Sequence, residues 1–233
     1  MATPSIKHDN KMSLKKFIKY RNETNYSDQE MIDKSFEFYE FIKKRRTIRD
    51  FSNKPVPREV IENCIKSAGT APNGANLQPW QFVVVSDPKI KRTIRIAAEE
   101  EEKIFYKEKA PKEWLDALEL LGTNENKPFL ETAPYLIVIF SKKVDILPDG
   151  RQVKQYYSLE SVGIATGMLI TAIHNAGLVS LTHTPSPMNF LNKILGRPSN
   201  EKPFLILVVG HPAKDAKVPD ITKKSLERIA EFK

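Results

Sequence analysis

Arg45-Arg46-Thr47-Ile48-Arg49 places three guanidinium forks and a hydroxyl within five residues, directly after Lys43 and Lys44. A guanidinium stays charged and meets phosphate oxygens with paired donors, so this compact cluster suits a phosphorylated ligand. Taken alone, the same residues also suit a solvated basic surface run. What surrounds the cluster decides between the two.

Upstream, Met31, Ile32, Phe36, Tyr39 and Ile42 recur near helical period, which predicts a helix over residues 31–44 with the cluster at its C-terminal edge. Ser27-Asp28-Gln29-Glu30 offers caps for its start, and the polar, irregular residues 1–28 read as a flexible N-terminal arm. Downstream, Pro57 opens a second helix whose buried face is Val60, Ile61, Cys64, Ile65 and Ala68. On that face Cys64 reads as a small buried hydrophobe and not as a nucleophile. Thr70 to Trp80 then form an eleven-residue loop with two prolines, one glycine and three amide side chains. That exceeds an ordinary connector, and such loops present backbone N–H groups and amides to ligands.

Residues 81–86 read as a strand, and Asp87-Pro88 opens a helix carrying Glu99 to Glu102 and then Tyr106. Glu102 and Tyr106, four apart, share a helical face. Lys127 follows in the polar stretch Thr123-Asn124-Glu125-Asn126-Lys127-Pro128. Separately these residues read as a solvated acidic helix and an exposed loop lysine. Brought together, a carboxylate, a phenol and an ammonium would hold an amino acid by both its charged ends. Residues 135–140 are an unbroken apolar run suited to the centre of a sheet, and Pro148-Asp149-Gly150 reads as a turn. A helix over 158–175 carries the small residues Gly163, Ala165, Thr166, Gly167 and Ala172 and ends at Gly177, with strands expected over 179–182 and 204–209. Between those strands, Pro185 forces Thr184 toward extended geometry, which can aim its hydroxyl at a ligand.

Composition narrows the class. With 233 residues, 40% hydrophobic and 28% charged, the chain reads as one globular domain, over residues 29–233, with extended ends. A single cysteine excludes an intramolecular disulfide framework, and the four histidines show no local metal spacing, so no metal is expected. The net charge of +8 points to an anionic partner, but the basic residues are spread along the chain without a nucleic-acid motif. No signal-peptide core or membrane-length apolar run is present, so a cytoplasmic location with no membrane partner is the expectation.

RRTIRDF, a helix, then APNGANLQPW running into FVVVSDP together resemble the nitroreductase superfamily of flavin mononucleotide (FMN) enzymes. The acidic EEEE-x-x-x-Tyr helix, TNENKPFLETAP, NAGLVSLTHTP, LGRP and VPDITKKSLE resemble, more closely, its iodotyrosine deiodinase family, in the same order along the chain. The resemblance implies an α+β, three-layer fold with a central mixed, mainly antiparallel sheet flanked by helices, assembled as an intertwined homodimer with two flavins at the interface. FMN is the implied cofactor. Arg45 and Thr47 match phosphate contacts, Arg46 belongs to the same motif, and Arg49 falls near flavin N1 and O2, where positive charge stabilises the reduced flavin. Asn73, Gly74, Asn76, Thr182 and His183 are further implied flavin contacts; Thr184 matches the residue that hydrogen-bonds N5 and so counts as catalytic. Asn73 replaces the serine usual after Ala-Pro, and Lys223 stands where arginine is common on the phosphate, with Lys224 open as its substitute.

For the substrate, Glu102, Tyr106 and Lys127 fall on the family's zwitterion clamp, within a lid over residues 99–128. The Ala75 N–H matches the donor that stabilises the substrate phenolate, a second catalytic assignment. The implied reaction is reductive dehalogenation of 3-iodotyrosine and related halotyrosines to tyrosine and halide, with an unidentified electron donor and no nucleic acid. Two alternatives stand beside it: a broad NAD(P)H-dependent nitroreductase or quinone reductase, which would share the flavin residues without needing the clamp, and a basic nucleic-acid-binding module. A general-acid role for His183 is the weaker reading of that residue.

Overall fold

In the computed structural model, residues 17–21, 24–119 and 121–233 are described, and the chain divides into two units, residues 1–41 and 42–233. The arm expected over residues 1–28 falls largely on residues 1–16 and 22–23, outside the described residues. Helix α1 (Asp28–Lys43), all but its last two residues in the first unit, starts three residues before the expected Met31. The reason is a capping box: the Glu30 carboxylate accepts from Ser27 N–H at 2.8 Å and the Glu30 N–H donates to Ser27 Oγ at 3.3 Å. No residue of α1 is buried.

The second unit contains α2 (Arg58–Gly69), β1 (Trp80–Val85), α3 (Pro88–Ile104), α4 (Lys112–Glu119), α5 (Phe129–Thr132), β2 (Tyr135–Lys142) and the small hairpin β3 (Val144–Ile146) and β4 (Gln152–Lys154). It continues with α6 (Ser158–Asn175), β5 (Val179–His183), α7 (Phe190–Ile194) and β6 (Glu201–Gly210). The main sheet has the order β1-β2-β6-β5, each pair antiparallel, and a parallel bridge from Thr47 to Ser180 adds the mixed character at the β5 edge.

Alternation along the two central strands builds the layers. Leu136, Val138 and Phe140 of β2 and Ile206 and Val208 of β6 face a core with Ile94 and Ala98 of α3, Leu130 of α5 and Leu191 of α7. Ile137, Ile139, Leu205, Leu207 and Val209 face the opposite core with Ile61, Cys64 and Ala68 of α2 and Val162, Leu169 and Ile173 of α6. A strand buried on both faces has no polar side to show, which is why residues 135–140 are uniformly apolar. Between β2 and β6 the register shifts after Ile139, which faces Leu205, to Phe140, which faces Pro203, leaving Phe204 as an extra residue on β6; a proline cannot donate to the ladder, and the bulge absorbs it. Asp87 caps α3 by accepting from the N–H groups of Lys89 (2.7 Å) and Ile90 (3.1 Å), which fixes where the acidic run emerges.

Candidate functional site

Residues 45–52 run beside the β5 edge. Ile48 N–H donates to the Ser180 carbonyl at 3.3 Å and Ser52 N–H to the His211 carbonyl at 3.0 Å, while Ile48 and Phe51 are buried. Extended backbone alternates its side chains, so anchoring Ile48 turns Thr47 and Arg49 the other way. The C-terminal stretch is tied to the same segment. Arg46 donates to the Pro219 carbonyl, and the Lys217 N–H donates to Asp50 Oδ2 at 3.2 Å. A cavity of about 240 Å³ results, lined by Arg45, Arg46, Thr47, Arg49, Thr182, Pro219 and Lys223. Lys223 lines it and Lys224 does not.

Arg49, Leu181 and Thr182 also line a second cavity of about 220 Å³, so the two adjoin. Its other walls are His183 and Thr184 from the end of β5, Glu102, Phe105 and Tyr106 from the end of α3, Trp114 of α4, and Thr123, Lys127 and Phe129. Thr182 and Thr184 are exposed while His183 between them is buried, again the alternation of an extended strand. Tyr106 sits in a single wider helical turn over Phe105–Lys109, and Phe105 packs edge-on against both Tyr106 and Trp114.

Glu102, Tyr106 and Lys127 do converge. Lys127 is 3% exposed, which removes the exposed-loop reading. Its Nζ lies 3.1 Å from Glu102 Oε2, donates to Thr123 Oγ1 at 3.2 Å and to the Asn124 carbonyl, and stands 5.6 Å from the Tyr106 ring centre. Its backbone N–H donates to Glu99 Oε1 at 2.7 Å. Burial, with the Glu102 and Glu125 carboxylates, pushes the Tyr106 phenol up from its ordinary pKa against a hydrogen bond with Thr123. His183 is pushed down to about 3, first by burial and then by the Lys127 ammonium. Its ring meets Phe129 edge-on and its buried Nε2 has no hydrogen-bond partner. A neutral imidazole cannot serve as a protonated general acid near pH 7.

Asn73, Gly74, Ala75 and Asn76 are not among the residues lining either cavity. Asn73 spends its amide within its own loop, accepting from Gln78 N–H at 2.8 Å and donating to the Ala71 carbonyl at 3.1 Å. Ala75 and Asn76 hold left-handed φ values of 51° and 56°, and a Cβ on Gly74 would come within 3.1 Å of the Tyr156 carbonyl oxygen. A side chain there would require the Tyr156 backbone to give by a few tenths of an ångström.

The donor set suits FMN. The first cavity offers guanidinium, hydroxyl and ammonium groups for a phosphate, and past Arg49 and Thr182 it adjoins the second, walled by Thr184 and His183. Thr123, Phe105, Trp114 and Pro219 line the cavities without any sequence pattern that marks them. The first three lie in the stretch between α3 and α5, where helical period breaks at the wide turn, and Pro219 enters through its carbonyl, which no side-chain pattern reveals. Among the described residues no group of three or more histidine, cysteine, aspartate or glutamate side chains could hold a metal, and no helix is long and apolar enough to cross a membrane.

Residues 42–211 match the model of the nitroreductase family. The chain is 59% identical to iodotyrosine deiodinase of Haliscomenobacter hydrossis, over 89% of this chain and 93% of that protein. It is 47% identical to human iodotyrosine deiodinase 1, over 88% of this chain and 71% of that one. Among solved structures it is similar to an oxidized iodotyrosine deiodinase bound to FMN and 3-iodo-L-tyrosine, with a TM-score of 0.71 at 36% identity over 83% of this chain and 99% of that one.

Proposed function

Because the chain belongs to the nitroreductase family and, within it, to the iodotyrosine deiodinases, we propose that it binds FMN and removes halide reductively from 3-iodotyrosine and related halotyrosines. The observation that carries this reading is the buried Glu102–Lys127 pair beneath Tyr106, facing the cavity that opens onto Arg49 and Thr184. An amino acid's ammonium and carboxylate would exchange for the two halves of that pair, so neither buried charge loses a partner.

Arg45, Thr47 and Lys223 would hold the FMN phosphate, while Arg46 braces the C-terminal stretch through Pro219. Bound FMN would supply the two electrons that, with one proton, turn a carbon–iodine bond into carbon–hydrogen and iodide. Arg49 would add positive charge beside the reduced flavin, and the Thr184 hydroxyl would hold a proton at the face of the cavity. His183 would stay neutral and shape the wall.

The same reading includes an intertwined homodimer in which residues 73–76 of one protomer complete the partner's site, with Ala75 N–H on the substrate phenolate. Three features support it: those residues line neither cavity, a Cβ on Gly163 or Gly167 of α6 meets nothing within 4 Å, and Leu159, Ile164, Ile229 and Phe232 are exposed. In α1, Met31, Ile32 and Phe36 are exposed as well. Residues 99–128 would act as a lid that opens for substrate and, once shut, excludes water from the clamp. Electrons would come from a separate donor, and a reducing cytoplasmic setting suits the free thiol of Cys64.

Anaerobic titration of the reduced holoprotein with 3-iodotyrosine tests the proposal. Stoichiometric flavin reoxidation with iodide release is expected; reoxidation by nitroarenes or quinones but not by iodotyrosine would favour the general reductase.

A further inference from the structure

We propose that Glu99 is a positioning residue for the amino-acid clamp: its carboxylate pins the Lys127 backbone, so the Lys127 ammonium can change partners while its loop stays in place. The inference rests on the halotyrosine reading above.

Arg95, Glu99, Glu102 and Tyr106 are spaced by four, three and four residues, which sets them on one stripe of the helical run. Each of the four meets the segment 123–131. Arg95 Nε pairs with Glu131 Oε1 at 3.0 Å, Glu99 Oε1 accepts from Lys127 N–H at 2.7 Å, Glu102 Oε2 pairs with Lys127 Nζ at 3.1 Å, and the Tyr106 ring centre stands 5.6 Å from Lys127 Nζ. One turn earlier on the same stripe, the Lys91 ammonium donates to the carbonyls of Glu131 (2.9 Å) and Ala133 (2.7 Å). Two glutamates of the acidic run therefore act on one lysine, Glu102 on its side chain and Glu99 on its backbone.

Lys127 sits just ahead of α5, where an N–H finds no acceptor in the helix, and burial keeps water from serving it. Glu99 is that acceptor. The ammonium is already engaged by Glu102, Thr123 and the Asn124 carbonyl, so an incoming carboxylate must displace a partner. With the backbone pinned, the swap takes only side-chain rotation. Without the pin, the loop is free to follow the ammonium, and the geometry that receives the amino acid is lost.

The test compares Glu99→Ala, Glu99→Asp and Glu99→Gln as FMN-loaded holoproteins. Glu99→Ala is expected to raise KM for 3-iodotyrosine about tenfold, as loss of one charge-assisted bond predicts, with kcat and FMN affinity close to wild type. Glu99→Gln keeps an acceptor oxygen at the same reach and should restore most of the KM, whereas the shorter Glu99→Asp should not. Hydrogen exchange over residues 123–128, measured without substrate, should quicken in the alanine and aspartate variants only. Wild-type KM and exchange in Glu99→Asp or Glu99→Ala would overturn the proposal, as would a glutamine variant as impaired as alanine or a parallel loss of FMN. The exchange measurement needs no substrate, so it tests the Glu99 bond even if the wild-type protein released no halide.

Discussion

Lys127 Nζ lies 3.1 Å from Glu102 Oε2 with side-chain exposures of only 4% and 13%. A pair this withdrawn from water costs desolvation on both sides, and removing one partner strands the other, which typically costs about 3–5 kcal/mol. The pair holds together the end of α3 and the loop before α5, and it faces the cavity, so its chemistry is available to a ligand of matching charge.

Glu102→Gln should therefore weaken 3-iodotyrosine binding by roughly a hundredfold while FMN stays bound, because the amide cannot neutralise the ligand's ammonium. Titrating the flavin absorbance of the oxidised holoprotein reads the affinity. Equal affinity in the variant would remove Glu102 from the clamp.

His183 carries a pH signature. Its pKa is about 3 in the folded chain, against an ordinary 6.5, so between those values the unfolded chain binds a proton that the folded chain refuses. Its contribution to stability is complete above about pH 6.5, declines as the pH falls, and is fully lost once the pH passes below about 3. From pH 7.5 to 5 the loss due to this residue should approach about 2 kcal/mol, since one pH unit is worth 1.36 kcal/mol once the unfolded imidazole titrates. Urea denaturation of the wild type and His183→Phe at both pH values measures it: the variant, with a ring that still packs against Phe129, should lose that much less on acidification.

The layers were legible because burial on both faces leaves an unmistakable apolar run at residues 135–140, and because Asp87-Pro88 marks the start of α3 by local chemistry. The guanidinium cluster at residues 45–49 was legible as chemistry but not as geometry: only the bridge from Thr47 to Ser180 explains why Arg45 and Arg49 reach adjoining cavities. Lys127 could not be read from composition at all, since four polar neighbours at residues 123–126 describe an exposed loop equally well. Its burial follows from contacts with Glu99 and Glu102, 28 and 25 residues upstream in the chain, and such pairing across a fold leaves no periodic trace.

Lys223 and Lys224 are neighbours of equal charge, yet only Lys223 lines the cavity with Arg45 and Thr47. Lys223→Ala should raise the dissociation constant for FMN about tenfold, the loss of one ammonium–phosphate contact, and Lys224→Ala should leave it near wild type. Riboflavin, which lacks the phosphate, should bind the wild type and both variants alike. Fluorescence quenching of each flavin supplies the measurement, and equal losses in the two variants would mean that the phosphate is held by diffuse charge.

Gly163 of α6 distinguishes a monomer from the proposed dimer. A Cβ there meets nothing within 4 Å inside one chain, and leucine has a better helix propensity than glycine by roughly 0.5–1 kcal/mol, so Gly163→Leu ought to be neutral or stabilising in a lone protomer. If α6 instead packs closely on the partner's helix, the same side chain meets backbone, and overpacking of that kind costs about 1–3 kcal/mol at each copy of the contact. The dimer reading therefore predicts a folded variant with reduced self-association and reduced flavin content, because residues 73–76 would no longer reach the partner's cavity. Light scattering gives the mass and the flavin-to-protein absorbance ratio gives the occupancy. A variant that stays dimeric with full flavin would move the interface away from Gly163.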